Sequence, residues 1–143
     1  MRIPQKRHLP IPVILDTDLQ EDVDDLGALA VLHHLASDLW VEVLGITCCT
    51  SNVWSVPAIG AVNEFYGRPD IPVGTLKGRE GFLTDTAELS YTRSIARAYP
   101  TRLHQDSEPE AVGLLRSLLA KREQPDVTVI GIGRMPNLAA LLA

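Results

Sequence analysis

Val13-Ile14-Leu15-Asp16-Thr17-Asp18-Leu19-Gln20-Glu21-Asp22-Val23-Asp24-Asp25 joins a short apolar run to a crowd of acids. Pro12 to Thr17 reads as a strand buried on both faces, because the run is almost wholly apolar and of strand length. From Asp24 to Ala36 the period changes. Leu26, Leu29, Leu32 and Leu35 recur every three residues, which predicts a helix carrying all four on one face. Strand, acidic turn and helix in that order open a βα unit. In open α/β sheets the loop leaving the C-terminal end of a strand lines the ligand crevice, so Asp16 and Asp18 are expected at that rim, with Asp24 and Asp25 at the helix N-terminus.

The alternation continues along the chain. Val41 to Cys49 reads as a second strand, and Ser55 as the N-cap of a helix that has Pro57 in its first turn, contains Ile59, Val62 and Phe65, and closes at Gly67. Ile71 to Val73 is a short strand, and Gly74 to Leu89, with no steady period, an irregular surface segment. Ser90 to Tyr99 is helical up to Pro100, and Ser107-Glu108-Pro109-Glu110 reads as a capping box opening a helix to about Arg122. Val127 to Gly131 reads as another buried strand, and Pro136 to Ala143 as a helix left unfinished. With no repeat, low-complexity tract or linker, residues 1–143 read as a single α/β domain: an open, mostly parallel sheet flanked by helices.

Composition narrows the function. The 143 residues are 45% hydrophobic and 22% charged, as expected of one globular domain. No apolar run approaches the eighteen or so residues of a membrane span, and Pro10, Pro12 and Asp16 interrupt the basic N-terminal stretch where a secretory leader would run on. The adjacent Cys48 and Cys49 point to opposite faces of a strand, which reads as packing in a reducing compartment, hence the cytoplasm. Six of the eighteen acids fall within residues 16–25, where composition alone would place about 1.3. The rest of the chain carries thirteen basic and twelve acidic residues, so its acidity is local. A nucleic-acid partner, which needs a basic face, is not expected. His8, His33, His34 and His104 read as surface or boundary residues, and the neighbours His33 and His34 cannot form an i, i+4 metal pair.

Crowded carboxylates raise one another's pKa unless a cation lies among them, and an all-oxygen set favours Ca²⁺ or Mg²⁺ over zinc. The flexible Ca²⁺ shell suits an irregular loop better. An EF-hand is excluded: counting Asp16 as position 1, Glu21 falls where glycine is required and Gly27 where the bidentate glutamate belongs. A solvated loop with favourable helix N-terminal charges would by itself account for Asp22, Asp24 and Asp25. A strand ending in Asp-x-Asp also resembles the phosphatases of the haloacid dehalogenase type, with Asp16 as nucleophile, although Gln20 stands where they want Thr or Val. A non-catalytic module whose acidic loop binds a cation is the third alternative.

Asp16-Thr17-Asp18 followed by Asp24-Asp25-Leu26-Gly27-Ala28-Leu29 resembles the N-terminal motif of the inosine-uridine preferring nucleoside hydrolases. The loop is two residues longer than their Asp-x-Asp-Pro-Gly-x-Asp-Asp form and similar in spacing to a longer form with Gly where Gln20 stands. Val43-Leu44-Gly45-Ile46-Thr47 with Ser51-Asn52, Asp70-Ile71-Pro72-Val73, and the segment from Val129 to Ala139 resemble three further family segments, except that Arg134-Met135-Pro136 replaces Pro-Leu-Thr. The likeness covers nearly the whole chain and the N-terminal half of a family member.

The resemblance implies that Asp18, Asp25 and the Ile132 carbonyl ligate Ca²⁺, that Asp18 takes a proton from the attacking water, and that Asp24 binds a ribose hydroxyl. It places Asn52 in the nucleoside pocket and leaves Asp16 as a brace for the loop. By residue type alone Asn52 is equally an ordinary turn residue, and Ile132 an apolar strand residue. The implied reaction is hydrolysis of the bond between ribose C1′ and the base nitrogen through a ribosyl cation-like transition state. The family's acid histidine and a further aspartate ligand come from a C-terminal half without counterpart here. The chain is therefore expected to be truncated and impaired, and, with its last helix uncapped and apolar, to form a homo-oligomer or to associate through exposed apolar surface.

Overall fold

The computed structural model describes residues 9–20, 22–77, 90–122 and 126–143. His8, Glu21 and the part of the irregular segment from 78 to 89 lie outside the described residues. Four strands, β1 (Ile11–Thr17), β2 (Val41–Cys48), β3 (Val73–Thr75) and β4 (Thr128–Gly131), pair in parallel in the order β3-β2-β1-β4. Helices α1 (Asp24–Ser37) and α2 (Ser55–Phe65) follow β1 and β2. Helices α3 (Tyr91–Ala98) and α4 (Ala111–Ala120) lie between β3 and β4, and α5 (Pro136–Leu142) follows β4.

β1 is a central strand, paired on both edges and buried from Pro12 to Thr17, as its apolar run requires. Val13 and Leu15 face one way, into a core with Ile46 and Cys48 of β2, Leu29 and Leu32 of α1, and Val56 and Ile59 of α2. Ile14 and Asp16 alternate to the other side, where α4 covers the sheet. α4 lies so close to β2 that a Cβ at Gly45 would meet Leu118 Cδ1 at 2.6 Å. β1 and β2 slip register between Val13 and Ile14, after which Asp16 sits opposite Thr47 on β2 and Gly131 on β4. Among the described residues no helix is long and apolar enough to cross a membrane.

Several boundaries differ from expectation, each for a local reason. A three-residue repeat drifts by about 60° per step on a 3.6-residue helix, so Leu26 and Leu35 end up on opposite sides of α1. The stripe that is buried is Asp25, Leu29, Leu32 and His33. His33 is thus no surface residue: it is fully buried, stacked on Tyr66 at 4.7 Å, and its Nε2–H donates to Asn63 Oδ1 at 2.9 Å. His34 is exposed, as expected.

Ser55 is the first residue of α2 rather than its cap, its hydroxyl donating to the Leu19 carbonyl at 3.0 Å. The capping box dissolves as well: Glu110 itself precedes α4 and accepts from the Val112 and Gly113 amides. Ser90 caps α3 through the Arg93 amide, and Gly67, at φ 69°, closes α2 as expected. β3 lies two residues further along than expected. β4, read as buried, is an edge strand with Ile130 exposed, followed by exposed Ile132 and Met135.

Burial holds the His33 imidazole below its ordinary pKa, against the Asn63 hydrogen bond and with help from the positive charge of Arg68. An unfolded chain takes up a proton near pH 6.5 that the folded chain refuses, so stability falls as pH drops through and below that value. Urea denaturation at pH 7.5 and 5.5 is expected to show a larger loss for the wild type than for His33→Gln. Equal losses would remove His33 as the cause. Leu29→Ala is expected to cost about 2–5 kcal/mol in the same assay, as for a buried core leucine.

Candidate functional site at the C-terminal end of the sheet

Where β1, β2 and β4 end, backbone hydrogen bonds still join the chains: the Cys49 amide donates to the Thr17 carbonyl and the Ile132 amide to the Asp16 carbonyl, both at 2.9 Å. The acidic loop leaves from this platform. Leu19, not Gln20, takes the left-handed conformation at φ 39°, at a cost of about 1–2 kcal/mol. The side chain compensates by full burial, worth roughly 1.5–3 kcal/mol. The Leu19 amide donates to Thr17 Oγ1 at 3.2 Å, and the Thr50 hydroxyl donates to Gln20 Oε1. The loop is therefore anchored before it reaches α1.

Asp18, Gln20, Asp22, Asp24, Asp25, Ile132 and Arg134 line a cavity of about 150 Å³. Four of the five residues picked out for substrate and metal, Asp18, Asp24, Asp25 and Ile132, are thereby brought together. Asp25 is only 6% exposed and accepts the Thr17 hydroxyl, whereas Asp22 and Asp24 are exposed at the mouth. Asn52 does not line this cavity. It is buried in the turn before α2, where its Oδ1 accepts the Trp54 amide at 3.0 Å and its Nδ2 donates to Thr92 Oγ1 at 3.3 Å.

Asp16 lies beneath the loop at 0% exposure. Its Oδ1 accepts the Thr47 hydroxyl at 2.5 Å and the Asn137 amide at 2.8 Å, while burial, outweighing both bonds, pushes its carboxyl above the usual range. A carboxylate so enclosed cannot present a nucleophile, which removes the basis of the phosphatase alternative. Cys48 and Cys49 are buried and free, and burial pushes the Cys48 thiol up to about 12. Both belong to packing.

Tyr91 was not visible as a site residue. From α3 its hydroxyl donates to the Asp22 carbonyl at 2.9 Å, and burial together with the carboxylates of Asp25, Asp18, Asp24 and Asp22 pushes its pKa up. It comes from 69 residues away, so no local pattern announces it. Arg134 did carry a signal, since it departs from the family segment.

The donors here are carboxylates and carbonyls, the chemistry of a hard divalent ion, but Ca²⁺ takes six to eight oxygens. Among the described residues no three His, Cys, Asp or Glu side chains are grouped to hold an ion. The cavity thus offers the right donor type and part of a shell. A larger apolar groove of about 410 Å³, between α1, α2 and α3, includes none of these acids.

The family model of the inosine-uridine preferring nucleoside hydrolases matches residues 13–143, which includes every residue of this cavity. The chain belongs to that family. Among solved structures, the plant nucleoside hydrolase PpNRh1 matches with a TM-score of 0.60 and 25% identity, over 93% of this chain and 42% of that one. This chain therefore spans less than half the length of that one. No curated protein matches it.

The cavity depends on a close approach between two loops. A Cβ at Gly133 would lie 2.6 Å from the Asp18 amide nitrogen, 2.7 Å from Cys49 Sγ and 3.1 Å from the Thr17 carbonyl carbon. Backbone atoms cannot yield as a flexible side chain can. Gly133→Ala is expected to cost about 1–3 kcal/mol in urea denaturation, whereas Gly27→Ala, with open space around it in α1, should stabilise by about 0.5–1 kcal/mol. A neutral Gly133→Ala would show that the loops are not held this close.

Proposed function

We propose that the cavity is the ribose- and metal-binding half of a site for metal-assisted hydrolysis of the N-glycosidic bond of ribonucleosides. The observation that carries this reading is the meeting of Asp18, Asp24, Asp25 and Ile132 in one small polar cavity. Asp18, Asp25 and the Ile132 carbonyl would hold Ca²⁺. A bound divalent ion supplies positive charge that acidifies water and orients sugar hydroxyls.

The residues divide the remaining work. Asp18, at the end of the central strand, accepts the proton of the attacking water. Asp24 accepts a hydrogen bond from a ribose hydroxyl at the cavity mouth. Asp25, fixed by Thr17, keeps its second oxygen for the ion. Asn52 enters only indirectly, by holding Trp54 at the opening of α2 and bonding Thr92 of α3. The cavity is smaller than the roughly 300–1,000 Å³ of complete small-molecule sites, which suits a sugar without its base.

Departure of the base needs an acid, and the described histidines do not supply one: His33 is enclosed between α1 and α2, while His34 and His104 are exposed and line no part of the cavity. We therefore expect impaired turnover from this chain. The buried free thiols suit a reducing compartment, and we assign the protein to the cytoplasm. The β4 edge, unpaired among the described residues and beside exposed Ile130, Ile132 and Met135, favours association, so the chain should elute ahead of a monomer on size exclusion.

Isothermal titration should show weak Ca²⁺ binding that falls at least about tenfold in Asp25→Ala, as expected when a charged ligand is removed. Base release from inosine or uridine should be Ca²⁺-dependent and close to background. Equal Ca²⁺ binding by both proteins, or p-nitrophenyl phosphate cleavage that disappears in Asp16→Asn, would overturn the reading.

A further inference from the structure

The loop between β4 and α5 adds a basic residue to a cavity whose other charged residues are all acids. Arg134 lines the cavity together with Asp18, Asp22, Asp24 and Asp25, so the lining holds one basic residue and four acidic ones. Its place is set by the framework on both sides. The Ile132 amide donates to the Asp16 carbonyl, Gly133 is packed against the Asp18 backbone, and Asn137 Nδ2 donates to Asp16 Oδ1 at 2.8 Å and to the Cys48 carbonyl at 3.2 Å.

Among the described residues the ion pairs are His34–Asp38, Arg102–Asp70 and Arg122–Glu42, and Arg134 is in none of them. Among the described residues its charge is paired with no single acid. It acts on the cavity as a whole, as a cation tethered at fixed concentration. A divalent ion entering the same volume gains from the carboxylates but is repelled by the guanidinium, in proportion to its charge.

We propose that Arg134 is the resident counter-cation of the acidic cavity and the residue that sets its ion selectivity, permanently offsetting part of the carboxylate charge and lowering the affinity for divalent cations. The inference rests on the metal-assisted reading above. Because repulsion doubles with ion charge, Ca²⁺ loses more than a monovalent ion. The framework also explains how the carboxylates stay together without a divalent ion: the tethered charge relieves part of their mutual repulsion.

The test is Ca²⁺ titration calorimetry on the whole chain and on Arg134→Gln, Arg134→Lys, Lys121→Gln and Asp25→Ala, at low and high KCl. Lys121→Gln makes the same change in net charge at an exposed residue that does not line the cavity. Arg134→Gln should tighten binding about three- to tenfold at low salt and less at high salt. Arg134→Lys and Lys121→Gln should stay within twofold of the wild type, about the spread of a repeated measurement against a tenfold step. Arg134 is exposed, so unchanged melting of its variants is expected and verifies that the fold is intact.

Wild type and Arg134→Gln binding alike, with Asp25→Ala weaker, would overturn this inference and leave the metal reading standing. Tightening by Lys121→Gln as large as that by Arg134→Gln would also overturn it. Absence of Ca²⁺ binding by every protein, Arg134→Gln included, would overturn both.

Discussion

A carboxylate cut off from water, Asp16, sits where β1, β2, β4 and α5 meet, and the rest of the site is built on how it is held. Facing Thr47 on one neighbouring strand and Gly131 on the other, it draws the Thr47 hydroxyl and the Asn137 amide to one oxygen. Its other oxygen has no partner among the described residues, which costs about 1–3 kcal/mol. That cost constrains as well as destabilises. With so few partners for a buried carboxyl, Thr47 and Asn137 must keep their places, and with them the strand ends that carry Asp18 and the start of the loop that carries Arg134.

From this point the acidic loop is over-determined. Leu19 plugs the core, Gln20 meets Thr50, Asp22 is held by Tyr91, and Asp25 by Thr17. The three polar anchors come from different elements: Thr17 from β1, Thr50 from the turn after β2, and Tyr91 from α3. The carboxylates converge because the framework places them, so their repulsion is part of the cost of folding rather than of binding. This is the general logic of a preorganised site, in which groups that repel in the free protein are already where a ligand needs them.

The order of elements was legible because periodicity and punctuation are local. The β1 run, the change of period at Asp24, Gly67 and Pro100 all act over a few residues. What could not be read depended on partners far along the chain. His33 looked like a surface residue until Asn63 and Tyr66, thirty and more residues away, enclosed it. The leucines of α1 misled for a geometrical reason, since a strict three-residue spacing winds around a helix instead of following one face. β4 has the composition of a buried strand, but burial depends on what lies beside it, and among the described residues its outer edge is unpaired.

The site followed the same division. Asp18, Asp24 and Asp25 stand within eight residues, so the loop motif alone was enough to group them. Ile132 and Arg134 join only because parallel pairing sets β4 beside β1, a long-range consequence of strand order. At Asn52 residue type leaves a substrate role and a turn role equally open, and the structure shows the bonds it makes in the turn before α2. Arg134 presents the opposite case. Its departure from the family segment marked it in the sequence, but it acquires meaning from the acids that line the cavity with it. A cavity of four carboxylates and one arginine is electrostatically different from one of four carboxylates alone, and that difference belongs to neither segment by itself. It arises where the close approach at Gly133 lays the β4–α5 loop against the end of β1.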